Sequence, residues 1–446
     1  MDFISNQEAQ IQEMLKAIGI KTVEELFLDI PKSLMHEKPT VDDGLSEFEG
    51  IQLMQQISKK NSFADFDNYL GAGAYEHHVP ALVSSVCSKA EFLTAYTPYQ
   101  PEVSQGMLQL IFEFQSAICA LTGMDVSNAS LYDGASACAE SLLMALRINK
   151  ERNKVIIAEN LHPHYFAVIK QYLCSHHTKI ELIPMLNNGA LDFEHFKSMI
   201  DDQTAAVLVQ YPNFFGGIDD VAPVFKNAKE YDALTIVVAN PMVYGLYKNA
   251  KEIHADIAVG DCQPFGIALQ FGGPYVGYMA CKEEFIRQLP GRIVGETVDT
   301  DGKRGFVLTL QAREQHIRRE KATSNICTNQ ALAALASLTG ILWYGKEGVR
   351  NLALTNYQRT AYLKTELAKI PGIKVFSQED FFNEFVVQFE RPIDEVIHIF
   401  HVHKIEPGLP LKTYFPKFDR HLLIAVTETK SLTDLNRYLE VARKLF

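Results

Sequence analysis

The sequence predicts an α/β fold: a mostly parallel sheet with helices on both faces, followed by a smaller α+β domain. Three observations predict it. Between residues 155 and 260, apolar runs of four to six residues alternate with amphipathic segments, the pattern of buried parallel strands joined by crossover helices. After Thr328 one long helical stretch leads out of this alternation into short strands and two further helices. And 446 residues, 47% hydrophobic and 22% charged, can bury a sizeable core in two or three domains.

In chain order, Asn6–Ile18 reads as an amphipathic helix, and Thr22–Leu28 as a second opened by a Thr-x-x-Glu capping box of Thr22 and Glu25. Val103–Leu121 is a longer helix: Met107, Leu108, Leu110, Ile111, Phe114, Ile118 and Leu121 form a wide apolar stripe that Gly123 ends. The expected sheet strands are Val155–Ala158, Ile180–Ile183, Ala205–Val209, Leu234–Ala239 and Ile257–Gly260. Helices Tyr165–Cys174, Phe193–Ile200 and Val221–Tyr231 lie between them, and Tyr275–Cys281 is a further strand. Asn329 opens the long helix, which runs through Ile341 to Ala368. The last domain combines strands Lys374–Phe376, Glu384–Phe389 and Leu422–Ala425 with helices Asp394–His403 and Thr433–Phe446. The expected division is a helical arm at 1–65, a large α/β domain at 66–328, and a linking helix with a small α+β domain at 329–446.

Composition removes several function classes. Lys plus Arg number 42 against 54 Asp plus Glu, a net charge of −12, so there is no excess of cations to neutralise a nucleic acid or an anionic membrane. No stretch approaches the length of a membrane span. The first fifteen residues lack the basic start and apolar core of a signal peptide and are too acidic for a transit peptide, which leads us to expect a cytoplasmic protein. The seven cysteines, Cys87, Cys119, Cys138, Cys174, Cys262, Cys281 and Cys327, are scattered without a C-x-x-C pair, against a disulfide framework or zinc site. His398, His401 and His403 are closely spaced, but no Cys or carboxylate trio accompanies them, and core histidines are the expectation there. Asp125–Asn128 and Asp299–Gly302 read as turns. No metal is expected.

Ligands of open parallel sheets sit beyond the carboxyl ends of the strands. Three segments fall there. Around Gly134, Leu131-Tyr-Asp-Gly-Ala-Ser opens a helix whose free N–H groups suit a phosphate, or simply starts a tightly packed helix. One buried strand ends in Asn240-Pro241, and another at Asp261 before the glycine-rich Gln270-Phe-Gly-Gly-Pro274; each is equally readable as an ordinary strand exit.

This order of elements resembles the large domain of fold-type I pyridoxal-phosphate (PLP) enzymes. Four segments make the resemblance specific: Tyr69-Leu-Gly-Ala-Gly-Ala-Tyr-Glu-His-His-Val-Pro80, Thr94–Gly106, Gln270–Pro274 and Arg313–Thr328. They resemble the glycine cleavage system P-protein, across essentially the whole chain and in the manner of its N-terminal half, the separate α subunit or subunit 1. The resemblance implies an α subunit that works with a PLP-bearing β subunit, as a heterodimer or α2β2 assembly. Together they would decarboxylate glycine and pass the aminomethyl group to the lipoyl arm of H-protein. It also implies that the Schiff-base lysine belongs to the other half. The corresponding position here, eleven residues before Pro274, holds Gln263, whose amide nitrogen is not a nucleophile. Where these enzymes hold the pyridine nitrogen with an aspartate, the strand ends in neutral Asn240. No covalent cofactor site is therefore expected in this chain.

Several side chains are candidates for a site shared with the β subunit. Tyr96 and Tyr99, in a loop stiffened by Pro98 and Pro101, are the first, with Glu102 beside them; without the family the loop is equally a packed connection. His77 and His78 follow a glycine-rich turn and can hydrogen-bond or carry protons. Thr323, Ser324 and Asn325 either reach across an interface or cap a helix. Two alternatives stand beside the shared site. One is a catalytically silent structural or regulatory partner of the β subunit. The other is a self-sufficient enzyme using Lys251, Lys282, Lys303 or Lys321, each of which sits among polar neighbours as a surface lysine does.

Overall fold

The computed structural model describes residues 5–35, 41, 44–376 and 378–446; the reading of the extreme N-terminus rests partly on residues outside these. The chain divides into two compact units, Met1–Phe63 and Ala64–Phe446. The first carries helices Glu8–Ile18 and Glu47–Ser58, each opened by a capping box, Gln7 with Gln10 and Ser46 with Glu49. The box expected at Thr22 is absent. Val23–Phe27 is a short 3-10 helix, the Thr22 side chain caps nothing, and Glu25 accepts a hydrogen bond from the Lys21 N–H instead.

The second unit is built on a seven-stranded sheet. Its strands are β1 (Val126–Ser127), β2 (Lys154–Ala158), β3 (Lys179–Ile183), β4 (Thr204–Tyr211), β5 (Leu234–Ala239), β6 (Ile257–Asp261) and β7 (Gly277–Cys281). Their order is β1-β7-β6-β5-β4-β2-β3. The five strands β2 to β6 run parallel, and β7 and β1 are antiparallel additions at one side. Alternation along each strand splits the core into two layers. Ile156 and Ala158 of β2 face the helices Gln105–Thr122 and Ala222–Glu230, while Val155 and Ile157 face Gly134–Ile148 and Pro163–Leu173. The long apolar helix ends as expected, with Gly123 in the left-handed region at φ 73°.

The sequence reading missed a hairpin, β8 (Ile293–Val298) with β9 (Arg304–Thr309), whose turn holds Asp299–Gly302. A helix from Ala331 to Leu367, broken at Gly345 where φ is 60°, leads to a four-stranded antiparallel sheet. That sheet contains β10 (Ile373–Val375), β11 (Glu384–Phe389), β12 (Leu409–Pro410) and β13 (His421–Ala425), in the order β10-β11-β13-β12. The helices Ile393–Val402 and Leu432–Arg443 pack on it through Val396, Phe400, Leu435, Tyr438 and Leu439. The histidines of this region are not core residues: His398 is exposed, His401 is half-buried against Glu406 at 2.9 Å, and His403 is half-buried. The helix turns its Val396 and Phe400 inward, which sends the histidines toward the rim. Among the described residues no helix is long and apolar enough to cross a membrane.

Candidate functional site

The carboxyl ends of β2, β4, β5 and β6 meet at a cavity of about 30 Å3. Its wall includes Tyr75, His162, Tyr165, Asn240, Asp261 and Glu384, and among the described residues no lysine. Three arrangements border the space, where Asp261 Oδ1 and Asn240 Nδ2 are buried without a hydrogen-bond partner. Asp261, the last residue of β6, accepts hydrogen bonds from the Tyr165 hydroxyl at 2.8 Å and from the Gly134 N–H. Burial pushes its carboxyl up to about 7, Asp133 adds to the rise, and the two donors oppose it. The first turn of helix Gly134–Ile148 thus already holds an anion of its own. Two further N–H groups there are used too: Asp133 accepts from Ser136 at 2.7 Å through its side chain and from Ala137 through its carbonyl. Gly134 is required for this approach, because a Cβ would lie 2.5 Å from the Tyr165 hydroxyl.

Opposite, Glu384 of β11 accepts from the Ala72 N–H at 2.6 Å and the Tyr75 hydroxyl at 2.7 Å, and burial pushes it up to about 7. His162 stacks on Tyr165 with ring centroids 4.8 Å apart; burial lowers it to about 4, so it stays neutral and donates from Nε2 to the Ala72 carbonyl. Beside them, Gln263 is fully buried. Its amide accepts from the Tyr75 N–H at 3.0 Å and donates to the carbonyls of Tyr75 and Ile267, both at 2.9 Å. Asn240 lines the cavity and caps the turn Pro241–Gly245 by accepting from the Met242 N–H at 3.0 Å. We expect Asn240→Ala to cost about 1 kcal/mol of stability, read as a lower unfolding midpoint, because that N–H then loses its partner.

The other candidates lie in separate places. Tyr96 is 78% exposed and forms no hydrogen bond with a described residue. Tyr99 is anchored: its hydroxyl accepts from Arg292 Nη2 at 3.2 Å, the guanidinium lies 5.4 Å from the ring centroid, and the ring meets His316 edge-on. Arg292 is almost wholly buried, its Nε 3.5 Å from Glu314, while Nε and Nη1 form no hydrogen bond. Glu102 is exposed and unengaged. His77 is buried and pairs with Glu428 at 2.9 Å, while His78 is exposed and gives only its backbone N–H to the same carboxylate. Burial works to raise Glu428, but those two donors hold it below the usual carboxylate range. Asn325 is exposed beside Glu140 and Arg147, and Ser324 caps the Ile326 N–H.

Known proteins fix the family. A family model of the glycine cleavage system P-protein matches residues 1–442. The chain belongs to the glycine cleavage system P-protein family. It is 63% identical over 446 residues, all of both chains, to the probable glycine dehydrogenase (decarboxylating) subunit 1 of Protochlamydia amoebophila. It also matches a crystal structure of glycine decarboxylase (P-protein) of the glycine cleavage system in inhibitor-bound form, with 38% identity, all of both chains covered and a TM-score of 0.92. A sphingosine-1-phosphate lyase from Burkholderia pseudomallei, 15% identical over 92% of each chain with a TM-score of 0.67, shares the fold alone. The fold of this P-protein family member is that of the fold-type I PLP enzymes.

The residues at its strand ends do not fit PLP. Among the described residues no lysine reaches the cavity, and Gln263 is saturated by backbone groups. Asp261 occupies the helix start that a phosphate would need, and about 30 Å3 holds a water or two but no pyridine ring. The other lysines do not replace it: Lys251 pairs with Asp125 and Lys282 with Asp256, while Lys303 and Lys321 are exposed. The sequence reading of this P-protein family member missed Asp261 as a helix-start anion, Glu384 as its neighbour across the cavity, and Arg292 as the anchor of Tyr99.

Proposed function

We propose that this chain is subunit 1 of a heteromeric glycine dehydrogenase (decarboxylating), working with a second subunit that carries the PLP. In that reading glycine is decarboxylated at the partner's cofactor and the aminomethyl group passes to the lipoyl arm of H-protein. The observation that carries it is the Gln263 amide, bonded to backbone groups at a narrow strand-end pocket, in a chain whose full-length relative is named subunit 1. A catalyst of this fold without a cofactor site needs another chain to supply one. The assembly is proposed as αβ or α2β2 and its location as cytoplasmic. The proposed division is an arm at 1–65, a large domain at 66–328 and a small domain with its linking helix at 329–446.

Tyr96 and Tyr99 are the residues we assign to the shared site. Tyr99 is held rigid by Arg292, and Tyr96 presents an exposed ring with a free hydroxyl, as a wall offered to another chain would. Glu102 and Asn325 are exposed and available in the same sense; His77 and His78 act by fixing Glu428. In the reconstituted pair, changing Tyr96 and Tyr99 to Phe should lower glycine–bicarbonate exchange about tenfold or more while the pair still assembles. An unchanged rate with assembly intact would instead favour a silent structural partner. The purified chain incubated with PLP and borohydride should show no trapped absorbance; a trapped band on this chain alone would overturn both readings.

A further inference from the structure

Six cations line one cleft. Arg147, Lys150, Arg287, Arg313, Arg318 and Lys321 surround a cavity of about 530 Å3 whose remaining wall, among the described residues, is uncharged. None of the six pairs with a carboxylate among the described residues, whereas elsewhere Lys154, Lys229, Lys282, Arg304 and Arg437 all do. In a chain of net charge −12, with 54 acidic residues to 42 basic ones, six cations in one place are contrary to composition, with only partial counter-charge from Glu140 on Arg147 and Glu314 on Arg313. Their mutual repulsion is a standing cost that an anion would remove.

The donors divide into two kinds. Arg313 gives its N–H groups to the carbonyls of Leu289, Gly291 and Leu310, Arg147 gives Nη2 to Gln288 at 3.0 Å, and Arg318 gives Nε to the Ala312 carbonyl at 3.0 Å, so these three charges are fixed in place. Arg147 Nε is buried and has no partner. Lys150, Arg287 and Lys321 are exposed and make no hydrogen bond with a described residue, which leaves them free to close on a ligand. An adjoining lobe of about 670 Å3 shares Arg147 and Lys150 and adds the carboxylates Glu140 and Glu320 with Ser324 and Asn325. One end therefore suits concentrated negative charge and the other a polar, uncharged body. The cleft shares no residue with the strand-end cavity, and of the residues offered above to a shared site only Asn325, in the adjoining lobe, borders it.

We propose that this cleft binds a small multivalent phosphate compound. Arginine forks and lysine ammonium groups together are the donor set that oligophosphates take. The volume is that of a small-molecule site, and the acidic remainder of the chain opposes a long polyanion.

The test is calorimetric titration of the full chain with inorganic tripolyphosphate. Saturable single-site binding that weakens as salt rises is expected. Arg287→Ala and Lys321→Ala should each weaken it about tenfold without lowering the melting temperature of the free chain, and Lys303→Ala, exposed and outside the cleft, should leave it intact. No saturable heat up to about 1 mM, or binding that neither cleft variant weakens, would overturn the site. Citrate binding as tightly as tripolyphosphate would overturn the phosphate assignment.

Discussion

Replacing Gln263 with lysine should destabilise the chain by about 3–5 kcal/mol and should not make it bind PLP. The amide makes three buried hydrogen bonds, two of them to the backbone of Tyr75, 188 residues away in sequence. A lysine can replace the donations but not the acceptance, so the Tyr75 N–H is left buried without a partner, at about 1–3 kcal/mol. The ammonium must also leave water or lose its proton, which adds a comparable cost. Restoring a nucleophile restores no site, because Asp261 still holds the helix start and the cavity is still about 30 Å3. Denaturant unfolding and the visible spectrum with PLP are the two readouts. A variant as stable as the parent, or one with a borohydride-trapped absorbance, would contradict the account of Gln263 given above.

Asp261→Asn is expected to act in the opposite direction, stabilising the chain at neutral and higher pH. The folded carboxyl titrates near 7 and the unfolded one near the ordinary aspartate value of about 4. The folded state therefore binds the extra proton between those values, and stability from this group is full below about pH 4 and lost as pH rises to about 7. The shift corresponds to about 2–4 kcal/mol, taken below the full value because the residue is only half-buried. Asparagine keeps an acceptor for Tyr165 and Gly134 without a charge. The difference in unfolding free energy between variant and parent should grow from pH 4.5 to about 7 and then level off. Parallel profiles for the two proteins would show that Asp261 is not the group responsible.

The sheet was legible because its strands are unbroken apolar runs buried on both faces, and a run such as Leu234–Ala239 has no other good reading. The hairpin of β8 and β9 was not, because Gly295-Glu-Thr-Val298 and Arg304-Gly305 leave half of it exposed and without a clean alternation. β12 contains a proline, which argues against a strand and is tolerated here at a sheet edge. At the site, Gln263 could be singled out only by resemblance, since glutamine has no local signature. The partnerships that define the pocket join residues far apart in the chain: Tyr165 with Asp261 across 96 positions, Tyr75 with Glu384 across 309. Nothing in either local segment announces the other. Arg292 was missed for the same reason, as its role is set by Tyr99, 193 residues earlier.

The carboxylate at the start of helix Gly134–Ile148 bears on how such a chain comes to be made. A fold that waits for a soluble phosphate to neutralise a helix end exists in two forms, empty and loaded, and its maturation depends on vitamin supply. Here the neutralising group is covalently part of the chain and arrives with translation. Under the proposed function, a shortage of cofactor should then leave the abundance of this chain unchanged.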